Sequence, residues 1–145
     1  MTKLFLSLAL LAVLLSPQPL AAQSADPSGL WRTEAGNAQV RVSRCGNAYC
    51  GAIAALAEPL DRNTGKPQLD RNNPNPAMAN RPLVGVYLFS DMQPSGTAKW
   101  SGHIYNAKDG KTYDSSIAVT GPTTLRVEGC VIGICGGENW SRIGR

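Results

Sequence analysis

From Ser28 to the C-terminal end the chain alternates apolar and polar residues with period two. Ala38, Val40 and Val42 alternate with Gln39, Arg41 and Ser43, and Tyr113, Ser115, Ile117 and Val119 with Thr112, Asp114, Ser116 and Thr120. Leu125 and Val127 alternate with Arg126 and Glu128. Side chains of a strand point to opposite faces in turn, so each run reads as a half-buried antiparallel strand with one apolar and one polar face. The pattern predicts strands over 28–35, 38–45, 49–57, 83–91, 98–106, 111–120, 123–131 and 137–143. Turn residues separate them: Ala35-Gly36-Asn37, Gly46-Asn47, Pro94-Ser95-Gly96, Lys108-Asp109-Gly110 and Gly121-Pro122. No window sustains a helical period.

The exception is 58–82, which holds Pro59, Pro67, Pro74, Pro76 and Pro82. Within it Asn75-Pro76 can cap and start one helical turn ending at Asn80, because proline suits the first helical position. A loop this long is either functional, a lid or a contact surface, or a crossover that covers one end of the sheet. Eight antiparallel strands can close into a barrel, which removes exposed edges; the same strands also fit a two-sheet sandwich. The expected fold is therefore all-β, an eight-stranded antiparallel barrel with one long Pro/Asn-rich loop and at most a short helix. At eight strands the interior is filled by side chains or holds one small ligand.

The first residues do not belong to that fold. Lys3 precedes an apolar run over Leu4–Leu15, Pro17 and Pro19 break it, and Leu20-Ala21-Ala22 offers small residues to a peptidase. This is the layout of a secretory signal, and the run is too short to span a bilayer comfortably. We place cleavage after Ala22, with Ala25 as the alternative, which leaves a tail over 23–27 and one domain over 28–145. No stable membrane anchor is then expected, and the product is periplasmic or secreted. Only Lys3 is charged in that segment, so its removal takes the formal net charge from +4 to +3. No block of like charges remains, and the cations are not interleaved with stacking aromatics, which argues against nucleic-acid binding.

Four cysteines survive the cut, Cys45 and Cys50, then Cys130 and Cys135. In an oxidising compartment bridging is the default, and the Gly-containing turn inside each pair favours local pairing among the three connectivities open to four cysteines. Each short bridge would contribute about 2 kcal/mol. A zinc site is the rival, and the compartment argues against it. No metal or cofactor is expected.

Gly29-Leu30-Trp31 resembles the G-x-W signature of lipocalins and their relatives, in which the Trp closes the barrel floor and a basic residue of the last strand packs across it. The resemblance assigns that role to Arg142, and a guanidinium stacked on an indole is physically favourable. A longer ordered string continues with Cys45-Gly46, Cys50-Gly51, Asp70-x-x-Asn73-Pro74, Arg81-Pro82-Leu83 and Gly102-x-Ile104-Tyr105-Asn106. Asp109-Gly110-Lys111-x-Tyr113, Leu125-x-Val127-x-Gly129-Cys130 and Trp140-x-Arg142 complete it. Over about residues 28–143 the chain resembles the bacterial secreted family catalogued as domain of unknown function 2147. The resemblance implies an exported, lipocalin-like barrel and no established reaction.

The favoured function is a binding module for a small apolar or lipid-like molecule of the cell envelope. Candidate cavity residues are Val40, Val42, Val86, Leu88, Trp100, Ile104, Ile117 and Val119, and Gly29, Trp31 and Arg142 form the floor. An alternative is a structural or interaction protein with a filled barrel and a contact loop at 58–82. A hydrolase or isomerase would need a carboxylate facing the cavity near His103, the only imidazole, or near a tyrosine. The sequence shows no such pairing, so no catalytic residue is assigned. Asp70, Asn72 and Asn73 lack the spacing of a calcium loop. Tyr105, Asn106, Lys111 and Tyr113 gather round one hairpin, either as cross-strand pairs or as the rim of a barrel mouth. Asn139-Trp140-Ser141 matches a glycosylation acceptor by chance, since its Trp is expected in the core.

Overall fold

Every strand pairs with its neighbours in chain order, and the last returns to the first, so no edge is left over. The computed structural model describes residues 25–145, and the expected signal segment lies outside them. The strands are β1 (Gly29–Arg32), β2 (Ala38–Cys45), β3 (Ala48–Leu56), β4 (Tyr87–Gly96), β5 (Lys99–Asn106), β6 (Lys111–Gly121), β7 (Thr124–Val131) and β8 (Ile134–Gly144). All pairings are antiparallel and the barrel is closed, as the alternation predicts; the sandwich is set aside. No helix is present among the described residues. The expected helical turn is a single turn, in which Asn75 O accepts from Met78 and Ala79 N while Asn75 Oδ1 accepts from Ala77 N.

Three strands differ most from the sequence reading. β1 stops at Arg32, because Thr33 caps the hairpin by donating to Asn37 Oδ1 at 2.7 Å. β4 begins four residues later than expected, at Tyr87, since Leu83–Val86 is a turn closed by Val86 N donating to Leu83 O. It then runs through Pro94-Ser95-Gly96, the expected turn, and the chain reverses at Thr97-Ala98, with Ala98 at φ 54°. β3 pairs with β4 only as far as Met92, so Pro94, which has no N–H to donate, occupies a stretch hydrogen-bonded on one side alone. β8 starts at Ile134 because Val131 pairs with Ile134 across a tight Ile132-Gly133 turn.

Large apolar side chains fill one half of the barrel. Trp31, Val40, Met92, Ile117 and Leu125 are fully buried, and Tyr49 packs edge-on against Trp100 at 5.3 Å between ring centres. This half closes at the end where β2 turns into β3 and β6 into β7. Trp31 Nε1 donates to Pro27 O at 2.8 Å, and the Arg142 guanidinium lies 4.2 Å from the centre of the Trp31 ring. Arg142 also donates to the carbonyls of Ser28, Asp26 and Pro122, so one side chain joins the last strand to the segment ahead of the first. A Cβ at Gly29 would overlap that guanidinium, which accounts for the glycine before the Trp. Burial lowers the pKa of Arg142, and Arg145 lowers it further, against the opposing charge of Asp26.

The disulfides Cys45–Cys50 and Cys130–Cys135 are both local. They lie at opposite ends of the barrel: the first flanks the β2–β3 turn at the closed end, the second the β7–β8 turn at the other.

Candidate functional site

Toward the other end the inward-facing side chains shrink. Ala38, Ala57 and Gly129 stand where the closed half carries Trp, Met and Leu, and the shortage of side-chain volume leaves a cavity of about 880 Å³ open to solvent. Ile53, Leu88, Ile104, Val127 and Trp140 supply its apolar wall. The rim carries Thr33, Asn37, Asn106, Lys108, Tyr113 and Val131, and Glu58, Gln68 and Leu83 come from the loop joining β3 to β4.

That loop is fastened to the barrel through a buried carboxylate. Asp70, with no exposed surface, accepts from Tyr105 Oη at 2.6 Å, Asn73 Nδ2 at 2.8 Å and Arg81 Nη2 at 2.9 Å. Burial pushes the Asp70 carboxyl up, but the three donors and the Arg81 charge outweigh it and hold the group below the usual carboxylate range. Tyr105 is pushed up to about 12, by burial and then by its bond to Asp70. Two residues on, Asn72 Nδ2 donates to the carbonyls of Ala107 and Lys108, at 3.2 and 2.9 Å, which ties the loop to the β5–β6 turn. Gly110 of that turn has φ 70°, and any Cβ there would collide with the Asn72 carbonyl, so both the turn and the loop contact require glycine. Asp70, Asn72 and Asn73 thus act as a fastening, an arrangement no periodic signal announces.

The Tyr105, Asn106, Lys111 and Tyr113 group surrounds this same turn. Tyr113 donates to Asp109 Oδ2 and Lys111 N to Asp109 Oδ1 at 2.9 Å. Asp109 is held low by the Tyr113 hydrogen bond first, and Tyr113 is raised by the same bond. Tyr105, Asn106 and Tyr113 line the cavity.

Of the eight residues proposed from the alternation, Leu88 and Ile104 line the open cavity. Val40, Val42, Trp100 and Ile117 lie in the packed half with 8% exposure or less, and Val86 is buried beside Ile53 just ahead of β4. Val119 packs against the core and borders a second solvent-open pocket of about 650 Å³ outside the floor, together with Gly29 and Arg142. The sequence reading missed Ile53, Val127, Trp140 and Glu138 as lining. The available signal was parity: Glu138 is two residues before Trp140 on one strand and shares its face.

His103 is on the outer surface. Its Nδ1 is 2.5 Å from Asp91 Oδ2 and its Nε2 is 3.5 Å from Asp114 Oδ1, a row across β4, β5 and β6. The Asp91 hydrogen bond, then the Asp91 charge, raise the His103 pKa above 6.5.

Residues 29–142 match the model of a family described as "Uncharacterized protein conserved in bacteria (DUF2147)". No curated protein matches the chain. Among solved structures the chain is similar to "Protein HP1028 from the human pathogen Helicobacter pylori belongs to the lipocalin family", at 22% identity and a TM-score of 0.70, over 82% of this chain and 84% of that one. The likeness is one of fold, a lipocalin-like barrel.

Proposed function

We propose that this chain, which belongs to the bacterial family DUF2147 and folds as a lipocalin-like barrel, holds a small, largely apolar molecule in the cavity at the open end. The observation that carries the reading is the division of the interior: a packed, Trp-floored half below and an apolar-walled, solvent-open space of about 880 Å³ above. A volume of that order suits a compact organic guest, and apolar walls with a few polar groups are the usual make-up of such sites. The role is binding rather than catalysis. Two local disulfides support residence in an oxidising compartment, and the apolar N-terminal run over Leu4–Leu15 supports export to the cell envelope.

The test uses N-phenyl-1-naphthylamine, a fluorescent apolar probe. The disulfide-bonded protein is expected to enhance its emission saturably, with micromolar affinity. Leu88→Trp, which fills the cavity from its wall, is expected to weaken binding at least tenfold while leaving the far-ultraviolet circular dichroism unchanged. Equal binding by the filled variant would place the probe on the outer surface and overturn the reading.

A second reading, a contact loop at 58–82, draws support from Leu60 and Met78, which remain 50% and 43% exposed on that loop. It expects Leu60→Ser with Met78→Ser to lose partner capture from envelope extracts with probe binding intact.

A further inference from the structure

Glu138 is the anomaly of the cavity. It stands on β8, opposite Val127 of β7 and in line with Trp140, so its side chain rises from an otherwise apolar wall. Its Oε1 accepts from Trp140 Nε1 at 2.5 Å, and Trp140 is 3% exposed, so the carboxylate is pinned from beneath by a rigid core residue. Its Oε2 accepts nothing from the described residues, and since no fully buried side-chain nitrogen or oxygen among them lacks a partner, Oε2 keeps exposed surface on a residue that lines the cavity. No Lys, Arg or His nitrogen among the described residues lies within 4 Å of it.

Apart from Lys108, each other polar side chain of the lining makes at least one hydrogen bond or ion pair within the protein. Tyr105 donates to Asp70, Tyr113 to Asp109 and Thr33 to Asn37, while Glu58 pairs with Arg62 and its backbone carbonyl accepts from Gln68. Lys108 is exposed on the rim turn, where its ammonium remains in water. A half-buried carboxylate with one oxygen open and no counter-charge lacks its complement, because desolvating such a group favours a paired cation or strong donor. Space for one exists. The next residue of the Glu138 face toward the mouth is Gly136, opposite Gly129, and a Cβ at Gly136 would meet nothing within 4 Å.

We propose that the guest is an amphiphile with a cationic, N–H-donating head, an ammonium or a guanidinium. The head seats on Glu138 Oε2, and the apolar body lies against Leu88, Ile104 and Val127. The inference rests on the cavity reading and adds the chemical class of the guest.

Calorimetric titrations with decylammonium, decanol and decanoate, which share one chain, test it. Decylammonium is expected to bind at least about tenfold tighter than decanoate at neutral pH, with decanol between them, the size of a charge-assisted hydrogen bond. Glu138→Gln, which keeps the acceptor for Trp140, is expected to shrink that gap to under about threefold. Equal or tighter binding of decanoate overturns the proposal, since the rim lysine would then select the guest; so does a gap that survives Glu138→Gln. If none of the three binds, the cavity reading itself falls. If all bind alike, only the head-group inference falls.

Discussion

Tyr105 and Asp70, thirty-five residues apart, share a 2.6 Å hydrogen bond that joins a barrel strand to the middle of the long loop. The bond closes inside a buried cluster in which Asp70 also meets Asn73 and Arg81. The irregular loop, the part of the chain with the weakest local pattern, is thereby attached through one of the most buried side chains in the molecule.

Asp70→Asn is expected to destabilise the fold by about 3 kcal/mol, because it removes the charge that three donors surround while leaving Arg81 without its partner. The folded-state pKa lies below the ordinary 3.8, so this stability is fully present above 3.8 and is lost as pH falls through the lower folded value. Urea melts of both proteins should keep a constant difference at neutral and mildly acidic pH and converge only below 3.8. Convergence well above that value would contradict the assignment.

His103 titrates the opposite way. Its folded pKa is raised, so the stabilisation it lends is complete below the unfolded value near 6.5 and disappears as pH climbs through the raised one. Proton NMR of the single imidazole should give a midpoint above 6.5, and Asp91→Asn should bring it down toward that value. An unchanged midpoint in the variant would assign the shift to Asp114 instead.

Ile132 tops the β7–β8 turn at φ 50°, a β-branched residue in the left-handed region, with 97% of its surface exposed. It loses no packing on replacement, so Ile132→Asn is expected to stabilise the fold by about 1 kcal/mol through turn conformation alone. A lower melting temperature would show that the isoleucine makes a contribution unrelated to backbone strain.

How far the sequence disclosed this architecture depends on what alternation can encode. It gave β2 to the residue, because Ala38-x-Val40-x-Val42 ends in the Gly46-Asn47 turn. It failed at β4, where Pro94-Ser95-Gly96 has turn composition yet continues the strand, an outcome set by where β3 stops pairing. Parity separates inside from outside but carries no measure of height along the barrel. Val40 and Ala38 share a face, and only the second borders the cavity. Glu138 was overlooked for a different reason: among Gly136, Gly137 and Asn139 it looks like a polar surface residue, although the core position expected for Trp140 already put Glu138 on the inward face.

Arg142→Lys keeps the charge at the floor but loses the planar fork that stacks on Trp31 and reaches three carbonyls at once. A loss of roughly 2 kcal/mol is expected in chemical denaturation, with a change in tryptophan emission as the Trp31 ring gains water. Full stability in the lysine variant would reduce the stack to a bystander.

The double fastening of the long loop, at Asp70 and again at Asn72, has a kinetic consequence. For the guest proposed above, a loop fastened in this way needs no opening step, so entry is expected to be a simple bimolecular encounter. Its observed rate should climb in proportion to guest concentration without levelling off, and discrimination among guests falls to how slowly each one leaves.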